Sequence, residues 1–198
     1  MSTAPKLRLT EQQYLERERA SELRHEYFRG EIFAMTGASR RHNLIAASVT
    51  RRIDEQFDGR RCEVYQSDMR VKVPASRLYT YPDVVATCDE PRFEDAEVDT
   101  LLNPRVIIEV LSKSTESWDR GRKFQHYRSI ESLREFVLVA QDAMSVELFR
   151  RDGGELWVLH ALTEPSDVLE LTSIDCRLTL ADIYARVDFN DDSGDSAS

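Results

Sequence analysis

Apolar residues recur along this chain at two different spacings, and the spacing changes from segment to segment. Across 41–57, Ile45, Val49, Ile53 and Phe57 fall every four residues and line one face of a helix. Ser39 can cap its start, and Asp58-Gly59 ends it. A shorter helix is predicted over 10–20, with Thr10 as cap and Gln13 three residues on, the spacing of a capping box. Segment 25–35 (HEYFRGEIFAM) reads as a hairpin turning at Arg29-Gly30. Alternation around Val64, Met69, Val71 and Val73 marks strand over 62–73, and 81–88 follows as strand. Segment 105–111 (RVIIEVL) is a branched run, the mark of a strand buried on both faces.

A helix is predicted over 118–130, because Phe124, Tyr127 and Ile130 recur at every third position. Residues 136–140 (FVLVA) form another buried strand. Segments 146–150 and 155–160 pair as a hairpin around Asp152-Gly153-Gly154. Leu178, Leu180, Ile183 and Tyr184 form a small closing helix, and 90–103 is an acidic loop. The order predicts an α/β fold, a mixed β-sheet flanked by helices in a single domain. Residues 1–24 are expected as an N-terminal helical segment, 25–187 as the domain and 188–198 as an acidic, disordered tail.

With 198 residues, 41% hydrophobic and 32% charged, the chain can bury a core of its own. No apolar run reaches the ~18 residues a membrane helix needs, and the first residues lack the apolar core of a signal peptide. The expected location is the cytoplasm. Cys62, Cys88 and Cys176 are far apart, odd in number and without a CxxC pair, so neither a disulfide nor a zinc site is expected. The net charge of −9 taken alone argues against a nucleic-acid binder. The basic residues nevertheless cluster, as Arg40, Arg41, Arg51, Arg52, Arg60 and Arg61, and again as Arg120, Arg122, Lys123 and Arg128. Each cluster is either a solvated face or a phosphate contact.

Three residues can carry chemistry. Pro82 belongs at a strand's start, which puts Asp83 at the mouth of Val84-Val85-Ala86, either as a turn-capping residue or as a site acid. Glu109 is the single carboxylate that interrupts the branched run 105–111. A buried carboxylate there needs a cation, donors or a shifted pKa, so it is either half of a salt bridge or a metal ligand. Two adjacent strands could bring Asp83 and Glu109 together, and such hard oxygen donors suit Mg²⁺ or Mn²⁺. Lys123, on the helix that follows, is either a surface lysine or a group that could orient water or offset charge on a phosphate. Glu26, Glu31 and His42 are further candidates. Ser112 lacks a nucleophile elbow, and Ser114 and Thr115 are expected to cap the helix after it.

The same residues carry a resemblance. Tyr81-Pro82-Asp83, the run from Ile108 through Glu109 to Thr115, Asp119-Arg120-Gly121-Arg122-Lys123 and Tyr127-Arg128 resemble the Uma family of restriction-type endonucleases, assigned to the PD-(D/E)XK nuclease superfamily. The likeness extends from about Glu26 to Ile183. It implies a Mg²⁺-dependent phosphodiesterase of restriction-endonuclease-like fold acting on DNA, with Asp83 as the first acid and Glu109 as the second. The superfamily pattern has a lysine two residues after that acid, where this chain has Leu111. The resemblance passes the role to Lys123, with Lys113 as the other candidate. The alternatives are a binding or regulatory protein that kept the fold without turnover, and a hydrolase of small phosphate esters. A homodimer is possible by symmetry.

Overall fold

The computed structural model describes residues 8–112 and 116–190. Lys113, Ser114, Thr115 and the tail beyond Asn190 lie outside the described residues, and with them the roles expected for those three side chains and for the acidic tail.

Thr10 starts α1 (Glu11–Arg19) with the expected capping box, each of Thr10 and Gln13 bonding the other's backbone. The hairpin follows as β1 (His25–Phe28) and β2 (Glu31–Ala34). Arg29 (φ 48°) and Gly30 (φ 98°) both take positive φ, as the tight turn requires. A Cβ on Gly30 would also meet the Arg8 side chain at 2.9 Å. Ser39 caps α2 (Arg40–Phe57), and all four residues of the predicted stripe are buried.

The stretch read as one strand over 62–73 divides into β3 (Glu63–Gln66) and β4 (Arg70–Val73), which enter different sheets. The break falls at Ser67, whose φ is positive. Next come β5 (Leu78–Thr80), β6 (Val84–Thr87), β7 (Thr100–Leu101) within the acidic loop, and β8 (Val106–Leu111). The helical segment comprises α3 (Glu116–Trp118), a π-helical turn (Asp119–Lys123) and α4 (Phe124–Tyr127). It therefore starts earlier and stops sooner than the apolar spacing predicted. Then follow β9 (Glu135–Ala140), β10 (Val146–Arg151), β11 (Trp157–Leu162), β12 (Val168–Leu171), β13 (Cys176–Thr179) and α5 (Leu180–Ile183).

A six-stranded sheet in the order β11-β10-β9-β8-β6-β3 forms the centre, with β8 and β9 parallel and the other pairs antiparallel. Successive side chains of β8 point to opposite faces. Val106, Ile108 and Val110 pack with Ile45, Val49 and Ile53 of α2. Ile107 and Leu111 pack on the other face with Tyr127, Ile130, Leu133 and a second, five-stranded sheet, β2-β1-β5-β4-β7. All six residues of β8 are buried, Glu109 included, as a branched run broken by a single acid implies. At about 1.5–3 kcal/mol for each fully buried large aliphatic side chain, this strand is a main anchor of the fold. It is also the least tolerant place for a charge.

The expectation of unpaired cysteines is corrected. Cys62 and Cys88 form a disulfide, and Cys176 remains a buried free thiol. The linear separation conceals the reason: β3 and β6 are antiparallel neighbours with Glu63 opposite Thr87, so the next pair outward is Cys62 and Cys88, with Cα atoms 4.1 Å apart. The oxidised protein should show one thiol per chain when denatured and three after reduction. Replacing Cys62 and Cys88 together with serine should lower the unfolding free energy by about 2–4 kcal/mol, measured by urea titration.

Candidate active site

The register of the central sheet brings the two predicted carboxylates face to face. Val84 pairs with Ile108 and Val85 with Ile107, so one step further along the same ladder sets Asp83 opposite Glu109. Both lie on the face that carries Val85, Ile107 and Leu111, beneath the π-turn and α4. Pro82 stands where the ladder ends, and Asp83 occupies the mouth of β6.

Asp83 is held by one oxygen. The backbone N–H of Val110 donates to Oδ2 at 2.7 Å, and His42 Nε2 lies 3.1 Å from the same atom. His42 reaches it from the first turn of α2, oriented by the Ser39 cap. Glu109 is likewise engaged through one oxygen, Oε1, which accepts from the Tyr127 hydroxyl at 2.8 Å and from Lys123 Nζ at 3.2 Å. Among the described residues, Asp83 Oδ1 and Glu109 Oε2 carry no hydrogen bond, and these are the oxygens that could meet a cation.

Lys123 is buried, and its ammonium lies 3.2 Å from a carboxylate oxygen on each of Glu26, Glu109 and Asp119. Three separate elements supply those acids. Glu26 comes from β1, where the Thr80 hydroxyl of the paired strand donates to it at 2.5 Å. Asp119 opens the π-turn, four residues before Lys123. That wide turn, a feature frequent at functional sites, presents Asp119, Lys123 and Tyr127 to the sheet. Phe124 anchors the segment by stacking on Phe136, with centroids 5.2 Å apart, and by packing on Phe149 and Trp157.

Burial pushes the Glu109 carboxyl up to about 8. Lys123 pulls against that rise, and the charges of Asp119 and Asp83 add to it. For Lys123, burial disfavours the charged form, but Glu109, Tyr127, Glu26 and Asp119 outweigh it and hold the ammonium well above its ordinary value. The centre is thus a cluster of acids built around one permanent cation.

Of the residues singled out in the sequence, Asp83, Glu109, Lys123, Glu26 and His42 converge here. Glu31 instead stands at the turn end of the hairpin, opposite Phe28. Asp119 and Tyr127 were not singled out. Their signal is the four-residue spacing of 119, 123 and 127, which sets an acid, a lysine and a tyrosine one turn apart. Many of the clustered arginines are committed elsewhere. Arg51 pairs with Glu55, Arg52 with Glu55 and Asp182, Arg120 with Glu116 and Glu147, and Arg60 donates to the Ile174 carbonyl at 2.6 Å. These arginines do not make a standing positive patch. No helix among the described residues is long and apolar enough to cross a membrane.

A mixed sheet with helical segments on its faces is the fold shared with a solved protein of Anabaena variabilis titled a putative nuclease belonging to DUF820. The TM-score is 0.67 at 17% identity, over 83% of this chain and 92% of that one. The chain belongs to the Uma2 family, described as "Putative restriction endonuclease", whose model matches residues 11–181. Two relatives come from Synechocystis sp. Uncharacterized protein slr1290 is 35% identical over 94% of this chain and 97% of its own length. Uncharacterized protein sll1609 is 35% identical over 83% and 93%.

Proposed function

We propose that the chain is a metal-dependent endonuclease that hydrolyses phosphodiester bonds in DNA, with Asp83 and Glu109 as ligands of Mg²⁺ or Mn²⁺ and Lys123 as the catalytic lysine. The observation that carries this reading is the opposed pair of carboxylates, each tied down through one oxygen and open at the other. The donor set fits a hard divalent ion. Mg²⁺ takes one or two carboxylates and completes its shell with water and substrate phosphate rather than with a protein cage. Among the described residues no group of three or more His, Cys, Asp or Glu forms a ready metal cage.

Bound there, the divalent ion would lower the pKa of a water and offset charge on the scissile phosphate. The chain's own residues do the rest. Val110 N–H and His42 fix the rotamer of Asp83, and Tyr127 fixes that of Glu109. The Lys123 ammonium, charged at every working pH, neutralises negative charge that builds on the phosphoryl oxygens. The surrounding apolar sheet keeps the local dielectric low, which strengthens each of these interactions.

The first test is metal binding by thermal shift. Mg²⁺ or Mn²⁺ at about 100 times its dissociation constant should raise the melting temperature by about 5–10 °C. Asp83→Asn should remove the shift. His42→Gln should weaken the metal's affinity by about 10–100-fold, since it disturbs only the orientation of a ligand. One observation favours a second reading, a nuclease fold kept for binding or regulation: Lys123 already neutralises three acids, and Leu111 stands where the superfamily has its lysine. That reading predicts no thermal shift with either metal.

A further inference from the structure

We infer that the face of the β1–β2 hairpin that carries Glu26 and Phe33, together with Arg29 at its turn and Arg122 of the π-turn, is the track on which a single-stranded segment of DNA lies as it enters the carboxylate centre. This rests on the DNA reading above and extends it to the form of the substrate.

The argument begins with strand parity. Tyr27 and Ile32, one cross-strand pair of the hairpin, turn inward to the cluster of Tyr14 and Tyr79. The alternate residues therefore occupy the opposite face, the one that carries Glu26 to Lys123. Phe33 is directly opposite Glu26 in the register and shares that face, yet it is 48% exposed. A large ring left open to solvent, one cross-strand pair from the acids, costs solubility and contributes little to the core. What it offers is a flat surface for stacking. In a duplex the base faces are covered by their neighbours, so only an unpaired base can use such a ring.

Two cations gather around His126, which packs on Phe28 of this same face. Arg29, at the turn, sits with Cζ 5.1 Å from the Phe28 ring, and Phe28 in turn packs on His126 with centroids 5.1 Å apart. Arg122, on the π-turn, holds its Cζ 5.9 Å from the centroid of the Trp118 ring. Both arginines are close enough to His126 to add to the lowering of its pKa that burial begins. Arg29 and Arg122 are exposed, and among the described residues neither has an ion pair, unlike Arg51, Arg52 and Arg120. Glu31, two residues before Phe33 and opposite Phe28, shares this face, so the track carries an acid beside its two arginines. Unspent cations at the turn end of a face that also carries an open ring and the acids around Lys123 match a strand whose phosphates and bases are both reachable.

The test is fluorescence anisotropy with a labelled single-stranded oligonucleotide and its duplex, in EDTA and again in Ca²⁺, using the full chain. The wild type should bind the single strand more tightly. Phe33→Ala should weaken single-strand binding by about tenfold or more and leave duplex binding unchanged, and Phe33→Trp should restore it. Arg29→Asn with Arg122→Gln should weaken both forms and make the salt dependence shallower by about 1.4 in log–log slope on the single strand. Asparagine keeps the positive φ at the turn accessible, so the hairpin is preserved. Equal binding by Phe33→Ala, or tighter binding of the duplex, would overturn this inference and leave the nuclease reading standing. A wild type that binds neither form under either condition would overturn both.

Discussion

Lys123→Met should lower the unfolding free energy by about 3–5 kcal/mol, the range for removing one member of a buried ion pair, and should remove hydrolysis. The ammonium is the common neighbour of Glu26, Glu109 and Asp119, and without it three acids face one another in a site shielded from water. The loss should depend on pH in a defined direction. Glu109 already has a folded pKa of about 8, above its ordinary value of 4.5, because burial disfavours its charge and Lys123 only partly offsets that. A carboxyl raised in this way contributes stability that is fully present below the unfolded value and is lost as pH rises through the folded one. Removing Lys123 raises it further. Urea titrations of the two proteins should therefore differ least near pH 5 and most near pH 8–9. An equal deficit at both ends would mean that Lys123 acts by packing alone.

Glu109→Gln should separate activity from stability. The amide keeps the volume of the acid, and its oxygen can still accept from Tyr127, while Lys123 retains Glu26 and Asp119. What disappears is a charge that the apolar strand β8 disfavours. The metal-free variant should melt no lower than the wild type at pH 8–9, and the wild type's decline in melting temperature from pH 6 to pH 9 should flatten. Hydrolysis should fall by about 10³-fold, because several kcal/mol of transition-state stabilisation depend on the metal this acid would hold. A gain in stability joined to a loss of rate is the expected behaviour of a residue kept for chemistry.

Much of this centre is legible in the chain because Glu109 breaks a pattern. A strand buried on both faces has no place for an acid unless something compensates it, so RVIIEVL announces both its own location and its own exception. The α2 stripe and the Arg29-Gly30 turn are legible for similar reasons, a fixed period and a turn that demands positive φ. The features that stayed hidden all depend on register. Nothing local shows that Asp83 faces Glu109, or that Cys62 faces Cys88, until β6 is paired with β8 on one side and β3 on the other. Strands β5, β7 and β12 are too short to show a period. Glu26 could not be chosen over Glu31 because both flank the same turn. Only the pairing of β1 with β5, which sets Thr80 against Glu26, decides between them. The π-turn is invisible to helical periodicity because it interrupts that periodicity, and Asp119 was passed over with it.

The most direct test of the central claim is a cleavage assay on single-stranded, nicked and supercoiled DNA, run with Mg²⁺ or Mn²⁺ and with EDTA, beside folded Asp83→Asn and Glu109→Gln proteins. The account predicts cutting that requires the metal and is lost in both variants. Cutting that survives in EDTA or in either variant, or no cutting of any DNA by a wild type that binds the metal, would contradict it.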